Sequence, residues 1–180
     1  VPGLFKCWKK GNVGIINALG TGVADDKAVY SYVNKMIVYY LGEQPKLNQV
    51  ETFLCENKVH RQHVIENIAK LVVKPANASG GYGIMIGPKA PKKEREEMVK
   101  KIKKNPREFV AQPLEILSTI PTICENGIEP RHLDLRPFIL TGKTSYVTTG
   151  GLTRVALRKG STIVNSSQGG GSKDTMVVDA

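Results

Sequence analysis

The chain has 180 residues, of which 41% are hydrophobic, so it can bury a core of its own, and an intrinsically disordered chain is excluded. Its 26 Lys and Arg outnumber its 16 Asp and Glu, and the net charge of +10 favours an anionic partner: a nucleotide phosphate, a nucleic acid or an acidic substrate. Three widely spaced cysteines predict neither a disulfide framework nor a zinc knuckle and indicate a reducing, cytoplasmic location. No apolar run is long enough to span a membrane, and no signal peptide is visible, so no membrane partner is expected.

Periodicity and turn residues predict alternating helices and short strands in the first half of the chain. Residues 1–24 are rich in Gly and Asn and predict a short strand and a turn; Asp25 and Asp26 then suit the N-cap of a helix that Gly42 ends. The further elements expected here are a strand at Val50–Cys55, a helix at Val59–Ala69, a strand at Leu71–Pro75, a Gly-rich loop at 77–83 and a strand at Ile84–Ile86. The last two strands and the loop between them predict a hairpin with a flexible tip.

The second half of the chain predicts one charged helix and a mostly antiparallel sheet. The expected elements are a helix at Pro91–Lys104, strands at Glu108–Gln112, His132–Leu140, Thr144–Thr149, Gly151–Leu157 and Ser161–Asn165, and a second Gly-rich loop at Ser166–Lys173. The fold class is therefore α+β, without an internal repeat or a clear linker.

Lys74 is the first candidate for binding an anion. It lies near the end of a buried strand, and the glycine-rich loop that follows can bring backbone N–H groups close to phosphate oxygens. The loop lacks the Lys-Ser or Lys-Thr pair of a P-loop, and it leads into a strand rather than the helix of a dinucleotide-binding motif. A surface hairpin beside a solvated lysine is the alternative for this segment alone.

Two further segments are candidates in the first half. Lys27 follows the acidic pair that opens a predicted helix, although an ordinary N-terminal turn is the commoner explanation of such a pair by itself. Gln112 ends an apolar strand and can recognise a base, while Pro113 is expected to block ladder pairing and mark a hinge. A plain edge strand is the alternative.

The remaining candidates lie in the second half. Alternation places His132, Asp134 and Arg136 on one face of a strand, where a surface ion pair is the simpler explanation. Arg154 on a strand and Lys173 in a Gly-rich loop suit a transferring phosphoryl group and the covering of a substrate. A flexible tail is the alternative for the loop.

Taken in order, these segments resemble the ATP-grasp superfamily. The succession ADDKAVYSYV, LVVKPANASGGYGIMIG and EFVAQPLE is similar to that family's lysine helix, strand Lys-Pro, phosphate loop and adenine strand. The later RHLDLRPFIL, GGLTRVALRKG and VNSSQGGGSKDT resemble the circularly permuted type-two family, related to glutathionylspermidine and glutathione synthetases. The resemblance implies an ATP-grasp fold of two α+β subdomains clasping ATP, circularly permuted and incomplete in this chain. We expect residues 1–107 to form the lysine and Gly-loop subdomain and residues 108–180 to hold the adenine strand and the lid loop.

The resemblance also implies a role for each matching residue. ATP phosphates and the adenosine moiety are expected to contact Lys27, Lys74, Ser79, Gly80, Gly81, Tyr82, Gly83, Gln112, Pro113, Leu114, Glu115 and Arg136. Arg154 and Lys173 are expected to be catalytic, beside the transferred phosphate and the acceptor, with Gly169–Lys173 as a lid. The implied activity is ATP-dependent ligation of a small-molecule or peptide carboxylate to an amine through an acyl phosphate.

Magnesium, the ion such ligases use, lacks an evident binding motif here, because the usual Glu-x-Asn pair is absent from the sequence. Asp134 and Asn165 offer oxygen atoms, but nothing aligns them with that role. We therefore assign no metal ligand and expect the ligands in a missing N-terminal half of the same protein, which would leave this chain inactive alone. Val1 in place of an initiator Met likewise suggests a fragment or a processed product.

Two other patterns are interpreted as structural. His60 and His63 have a helical metal spacing but no further ligand in reach, and the Lys-rich run 89–104 is interrupted by Glu and lacks aromatic residues. Nucleic acid is consequently not the expected partner. A basic nucleic-acid-binding domain and a nucleotide-binding ATP-grasp relic without turnover remain the alternative functions.

Overall fold

The computed structural model describes residues 1–17, 19–78, 80–162, 164 and 169–177. The chain forms two compact units, Val1–Leu114 and Glu115–Ala180. The strand at Phe109–Pro113, which we expected to begin the second subdomain, is hydrogen-bonded into the sheet of the first unit. The boundary between the two units therefore lies after this strand, at Leu114, whereas the sequence analysis placed it before the strand, at residue 107.

The first unit contains five helices and four strands among its described residues. The helices are α1 Leu4–Lys9, α2 Lys27–Tyr30, α3 Val33–Leu41, α4 Lys58–Glu66 and α5 Lys92–Lys104; the strands are β1 Phe53–Leu54, β2 Leu71–Pro75, β3 Met85–Ile86 and β4 Phe109–Pro113. The antiparallel sheet has the order β1-β4-β2-β3. The predicted hairpin around the Gly-rich loop is confirmed by the pairing of Val72 with Ile86 and Val73 with Met85.

The core of the first unit lies where α4 and α5 cover one face of this sheet. Val64 of α4 and Ile102 of α5 are fully buried in one apolar cluster with Val73 and Ala111 of the central strands. Because strand side chains alternate between faces, Val72, Lys74 and Gln112 belong to the opposite face. Described residues before β1 contribute no buried side chain, so this part of the unit has no core of its own.

The N-terminal region differs from its prediction. Residues 4–9 are helical, and a 3-10 turn at Thr21–Asp25 stands where a strand and turn were expected. The predicted helix 25–41 is broken after Tyr30, where the Ser31 hydroxyl donates a hydrogen bond to the Ala28 carbonyl. The expected cap at Gly42 is confirmed by its left-handed conformation, φ 66°.

The second unit is a four-stranded antiparallel sheet of order β5-β6-β7-β8. Its strands are β5 Thr119–Cys124, β6 Gly127–Thr141, β7 Ser145–Val155 and β8 Gly171–Met176. β5 was not predicted, since Pro121 interrupts its pattern; as an edge strand it tolerates the proline. β7 is continuous where two strands were expected, and described residues 161, 162 and 164 of the predicted strand 161–165 are not in a strand.

The β6–β7 hairpin extends beyond its neighbours. β5 pairs with β6 over residues 127–132, and β8 pairs with β7 over residues 150–155. The pairs from Ile139–Val147 to Thr141–Ser145 therefore form a two-stranded ribbon in the described part of the chain, separated from the rest by a bulge between Pro137 and Ile139. Among the described residues, no helix is long and apolar enough to cross a membrane.

Position 87 requires glycine because the backbone carbonyl groups of Ile68 and Leu71 lie very close to it. A Cβ there would lie 1.9 Å from the Ile68 carbonyl oxygen and 2.6 Å from that of Leu71. We expect Gly87→Ala to lower the free energy of unfolding by about 3 kcal/mol or more in urea titration. Gly14→Ala is the matched control, since its Cβ would meet no atom within 4 Å, and it should change stability by less than about 0.5 kcal/mol. Equal effects of the two substitutions would contradict this packing.

Candidate functional site

Lys27 is held where the Gly-rich loop begins. Asp26 caps α2 by accepting a hydrogen bond from the Ala28 amide at 2.7 Å, which sets the direction in which the helix leaves. The Lys27 amide donates to the Ala76 carbonyl at 2.9 Å, and its ammonium donates to the Ala78 carbonyl at 2.5 Å. Both ends of this residue therefore bind the segment that follows β2.

Lys74 leaves β2 on the face opposite the core cluster. Its ammonium donates to Oε1 of Gln112 on β4 at 2.6 Å, and Nε2 of Gln112 donates to the Thr52 hydroxyl at 2.8 Å. The Thr52 hydroxyl in turn donates to the Val50 carbonyl at 3.0 Å. A hydrogen-bonded chain thus runs from the ammonium across β4 to the residues before β1.

The two lysines affect each other electrostatically. Burial lowers the pKa of Lys74 below its usual value, and the positive charge of Lys27 lowers it further. Lys27 binds Ala78, only four residues after Lys74, so the structure brings both cations to the start of the same loop. An anion at this position would offset the cost of burying the charge and would reduce the repulsion between the two ammonium groups.

A pocket of about 470 Å³ lies against the Gly-rich loop, and Lys27 lies in its wall with Asn77, Gly80, Gly81 and Tyr82. Gly80, Gly81 and Gly83 have φ of 72°, 81° and 71°, a conformation that side chains disfavour. A Cβ at Gly83 would also press on the Pro75 ring at 3.0 Å. Ser79, predicted to contact phosphate, lies outside the described residues.

A second pocket of similar volume lies between α3 and residues 43–49. Its wall is mainly apolar, with Ile37, Leu41 and Leu47 among the lining residues. Of these two pockets, the one at the Gly-rich loop is the better candidate for binding phosphate, because it contains Lys27 and adjoins the strand that carries Lys74.

The residues predicted to contact adenine make hydrogen bonds and strand pairs within the protein itself. Both ends of the Gln112 side-chain amide are engaged by Lys74 and Thr52. Pro113 does not interrupt the ladder. It lies opposite Leu71 in the last pair between β2 and β4, a position at which the ladder does not require a backbone N–H donor. Leu114 is the last residue of the first unit, and the exposed Glu115 is the first of the second.

Arg154 is bound by a carboxylate within the second unit. Its Nε donates to Asp134 Oδ1 at 2.8 Å, and its terminal nitrogen donates to Oδ2, across the Asp134–Arg154 register of β6 and β7. The hydrogen bond to Asp134 raises the pKa of Arg154. The ion pair considered for this strand is therefore present, with Arg154 as the partner. Arg136 is exposed opposite Leu152, and His132 lies 2.8 Å from the Leu117 carbonyl oxygen.

Lys173 does not lie in a loop. It is in β8 opposite Thr153, and its ammonium donates to the Pro121 carbonyl at 3.3 Å. The glycines before it did not predict a strand, yet Gly171 pairs with Val155 at the end of the ladder. The proposed lid at Gly169–Lys173 is corrected accordingly: its last three residues are sheet, and Asn165 with residues 166–168 lies outside the described residues.

Within the described ranges, no three His, Cys, Asp or Glu side chains come together as a metal site requires. His60 accepts a hydrogen bond from the Leu54 amide at 3.2 Å, and the ring of His63 packs on Phe53 with centroids 4.6 Å apart. These contacts give both histidines a structural explanation.

The family model for circularly permuted ATP-grasp type 2 proteins matches residues 1–156. The chain belongs to this family. The match includes Lys27, Lys74, Gln112 and Arg154, and it ends before Lys173.

Relatives of this ATP-grasp chain are found in several bacteria. An uncharacterized protein of Synechocystis sp. is 54% identical over 179 residues, which cover 99% of this chain and 37% of the relative. An uncharacterized protein of Mycobacterium tuberculosis is 51% identical over 179 residues, covering 99% of this chain and 32% of that protein. A protein of Frankia casuarinae named "Putative glutamate--cysteine ligase 2-2" is 48% identical over 174 residues, covering 97% of this chain and 20% of its own length. The chain thus spans between 20% and 37% of the length of these relatives.

Thr52 is a residue of this candidate site that sequence reasoning missed. It lies just before β1, and it reaches Gln112 because Phe53 pairs with Ala111. A hydroxyl flanking a predicted strand carries no signal by itself. Only the register of two strands far apart in the chain identifies it.

The lowered pKa of Lys74 predicts a pH-dependent stability. The folded protein binds this proton less tightly than the unfolded chain, so the stability contributed by Lys74 should rise with pH from the lowered pKa up to the ordinary lysine value of 10.5. Lys74→Met should flatten the rise, measured by urea unfolding between pH 7 and 10. Lys93→Met, at an exposed position of α5, should leave the slope unchanged. Parallel slopes in all three proteins would contradict the assignment.

Proposed function

We propose that this protein serves ATP-dependent ligation of a carboxylate to an amine, and that its first unit binds the phosphates of ATP. The observation that carries the proposal is the convergence of Lys27 and Lys74 on the start of one glycine-rich hairpin beside a pocket. Family membership and the name of the Frankia relatives, glutamate–cysteine ligase, support this reaction class.

The residues around the pocket fit a polyphosphate. Two positive charges near each other are unfavourable without an anion, and a half-buried ammonium interacts with phosphate more strongly than one in bulk water. Left-handed glycines allow the loop to approach phosphate oxygens without a side chain in between. The pocket volume of about 470 Å³ accommodates a phosphate chain with part of its water.

In the proposed reaction, ATP supplies a phosphoryl group that turns the carboxylate into an acyl phosphate, and an amine then displaces phosphate to form the amide. The two lysines would neutralise charge on the phosphates and hold them in one orientation. The Gly-rich hairpin, with exposed Tyr82 near its tip, would limit the access of water to the activated acyl group. In the second unit, we keep Arg154 and Lys173 as candidates for the acceptor side, with Asp134 orienting the Arg154 guanidinium.

The proposal also specifies the class of substrates and the location of the magnesium ligands. The motifs that resemble glutathionylspermidine and glutathione synthetases suggest small peptides or amino acids as the acid and amine. The described residues do not fit a magnesium site, because they hold no cluster of three candidate ligands and Asp134 is already bound to Arg154. We propose that the magnesium carboxylates belong to the part of the longer relatives that this chain does not span.

ATP is expected to stabilise the protein against heat. At a concentration about 100-fold above its Kd, ATP should add about 2.7 kcal/mol, which corresponds to a rise in Tm of roughly 5–10 °C for a chain of this size. Lys74→Met should reduce the rise by more than half, while Lys93→Met should retain it, as measured by differential scanning fluorimetry.

The same assay separates the alternatives. Absence of a shift with ATP, ADP or GTP, in this protein and in the full-length Synechocystis relative, would count against nucleotide binding. A shift with single-stranded RNA alone, decreasing steeply with salt, would favour the basic nucleic-acid-binding domain. Nucleotide binding by the full-length relative without substrate-dependent ADP release would favour the relic without turnover.

A further inference from the structure

Three side chains form a line beside the proposed phosphate site, two from neighbouring strands and one from the residue just before a third strand. Lys74 lies on β2, Gln112 lies diagonally across on β4, and Thr52 continues the line before β1. Since Val73 and Ala111 point into the core cluster, their neighbours along the strands are on the opposite face of the sheet. The three polar groups are half-buried there, so their mutual contacts are protected from competition by bulk water.

The direction of every hydrogen bond in this line is determined by chemistry. An ammonium only donates, so the Gln112 atom at 2.6 Å from Lys74 Nζ must be the carbonyl oxygen. The Gln112 amide nitrogen then faces the Thr52 hydroxyl at 2.8 Å and donates to it. The hydroxyl gives its single proton to the Val50 carbonyl at 3.0 Å. The side-chain amide therefore has one orientation, and reversing it would break two contacts.

We propose that Gln112 and Thr52 are positioning residues for Lys74, which together hold its ammonium in place for the phosphates, and that Gln112 does not read the adenine base. This inference rests on the proposed function and specifies which residues serve it. The contacts with Lys74 and Thr52 use one lone pair and one N–H of the Gln112 amide and fix its direction, so the amide cannot turn to match a base edge without breaking them.

The amide at position 112 suits this task better than a carboxylate. Gln112 orients the ammonium without neutralising it, so the full charge of Lys74 remains available to an anion. Among the described residues, Gln112 is the hydrogen-bond partner of the ammonium, which leaves two of its three N–H donors for phosphate oxygens. A lysine already held in its binding rotamer loses less freedom when the ligand arrives.

The test uses paired substitutions at Thr52 and calorimetric titration with three probes: inorganic tripolyphosphate, ATP and adenosine. Thr52→Val removes the hydroxyl with little change of shape, and Thr52→Ser keeps the hydroxyl. We expect Thr52→Val to weaken tripolyphosphate and ATP by about five- to tenfold and to leave adenosine unchanged. Thr52→Ser should stay within about twofold of the wild-type protein for all three probes.

Gln112→Glu supplies a second readout that a purely structural role would not affect. The carboxylate would keep a contact with Lys74 but neutralise it, so tripolyphosphate affinity should fall by at least about tenfold. It would also raise the pKa of Lys74, so the residual binding should persist to higher pH than in the wild-type protein. Melting curves without ligand report whether each variant is folded, and the Gln112 variant tests the inference if Thr52→Val fails to fold.

The outcomes that overturn the inference are distinct from those that overturn the function. Equal binding by Thr52→Val and Thr52→Ser, or a Gln112→Glu variant that loses adenosine while keeping tripolyphosphate, would refute the positioning role and leave ATP binding intact. A wild-type protein that binds neither ATP nor tripolyphosphate would refute the proposed function, and the positioning role with it.

Discussion

Placing the ammonium of Lys74 half inside the protein is the constraint on which the first unit's chemistry depends. Burial disfavours the charge, and Lys27 nearby disfavours it further. The fold offsets part of this cost with the Gln112 carbonyl, a neutral acceptor that leaves the positive charge in place. The strand order β1-β4-β2-β3 makes this possible, because it sets β4 directly beside β2 and brings the residues before β1 within reach of Gln112. Lys27 comes to the same loop through contacts of its own with Ala76 and Ala78.

Local signals in the sequence predicted the elements that local forces determine. The hairpin around the Gly-rich loop, the charged helix α5 and the end of α3 at Gly42 all follow from periodicity and glycine conformation. The strands of the second unit that were predicted wrongly owe their structure to pairing with a neighbouring strand. β5 contains Pro121 and is stabilised by β6, and β8 begins in a glycine run that becomes a strand only because β7 lies beside it. β7 continues through Gly150 and Gly151, where the absence of a Cβ at Gly151 allows close approach to the Arg136 carbonyl.

The residues of the candidate site fall into the same two groups: those that local sequence predicts and those whose contacts depend on strand pairing. Lys27, Lys74 and the loop glycines could be predicted as candidates because each lies in a short contiguous motif. The partners of individual side chains were not predictable. Thr52 and Gln112 are 60 residues apart, and Arg154 and Asp134 are 20 apart, so each contact is set by strand register. An arginine that looked available for a substrate proved to be paired, and a glutamine that suggested base recognition proved to be bound to a lysine.

The long hairpin of the second unit has a mechanical consequence. Between the bulge after Pro137 and the turn near Gly142, β6 and β7 form a ribbon without the flanking strands that support them elsewhere, as far as the described residues extend. Two-stranded ribbons twist and bend more readily than wider sheets, whereas the bidentate Asp134–Arg154 pair ties the same two strands together on the other side of the bulge. Bending is therefore concentrated in the outer few residue pairs. The direction of the hairpin end is therefore less constrained than that of the strand segment that carries Arg154.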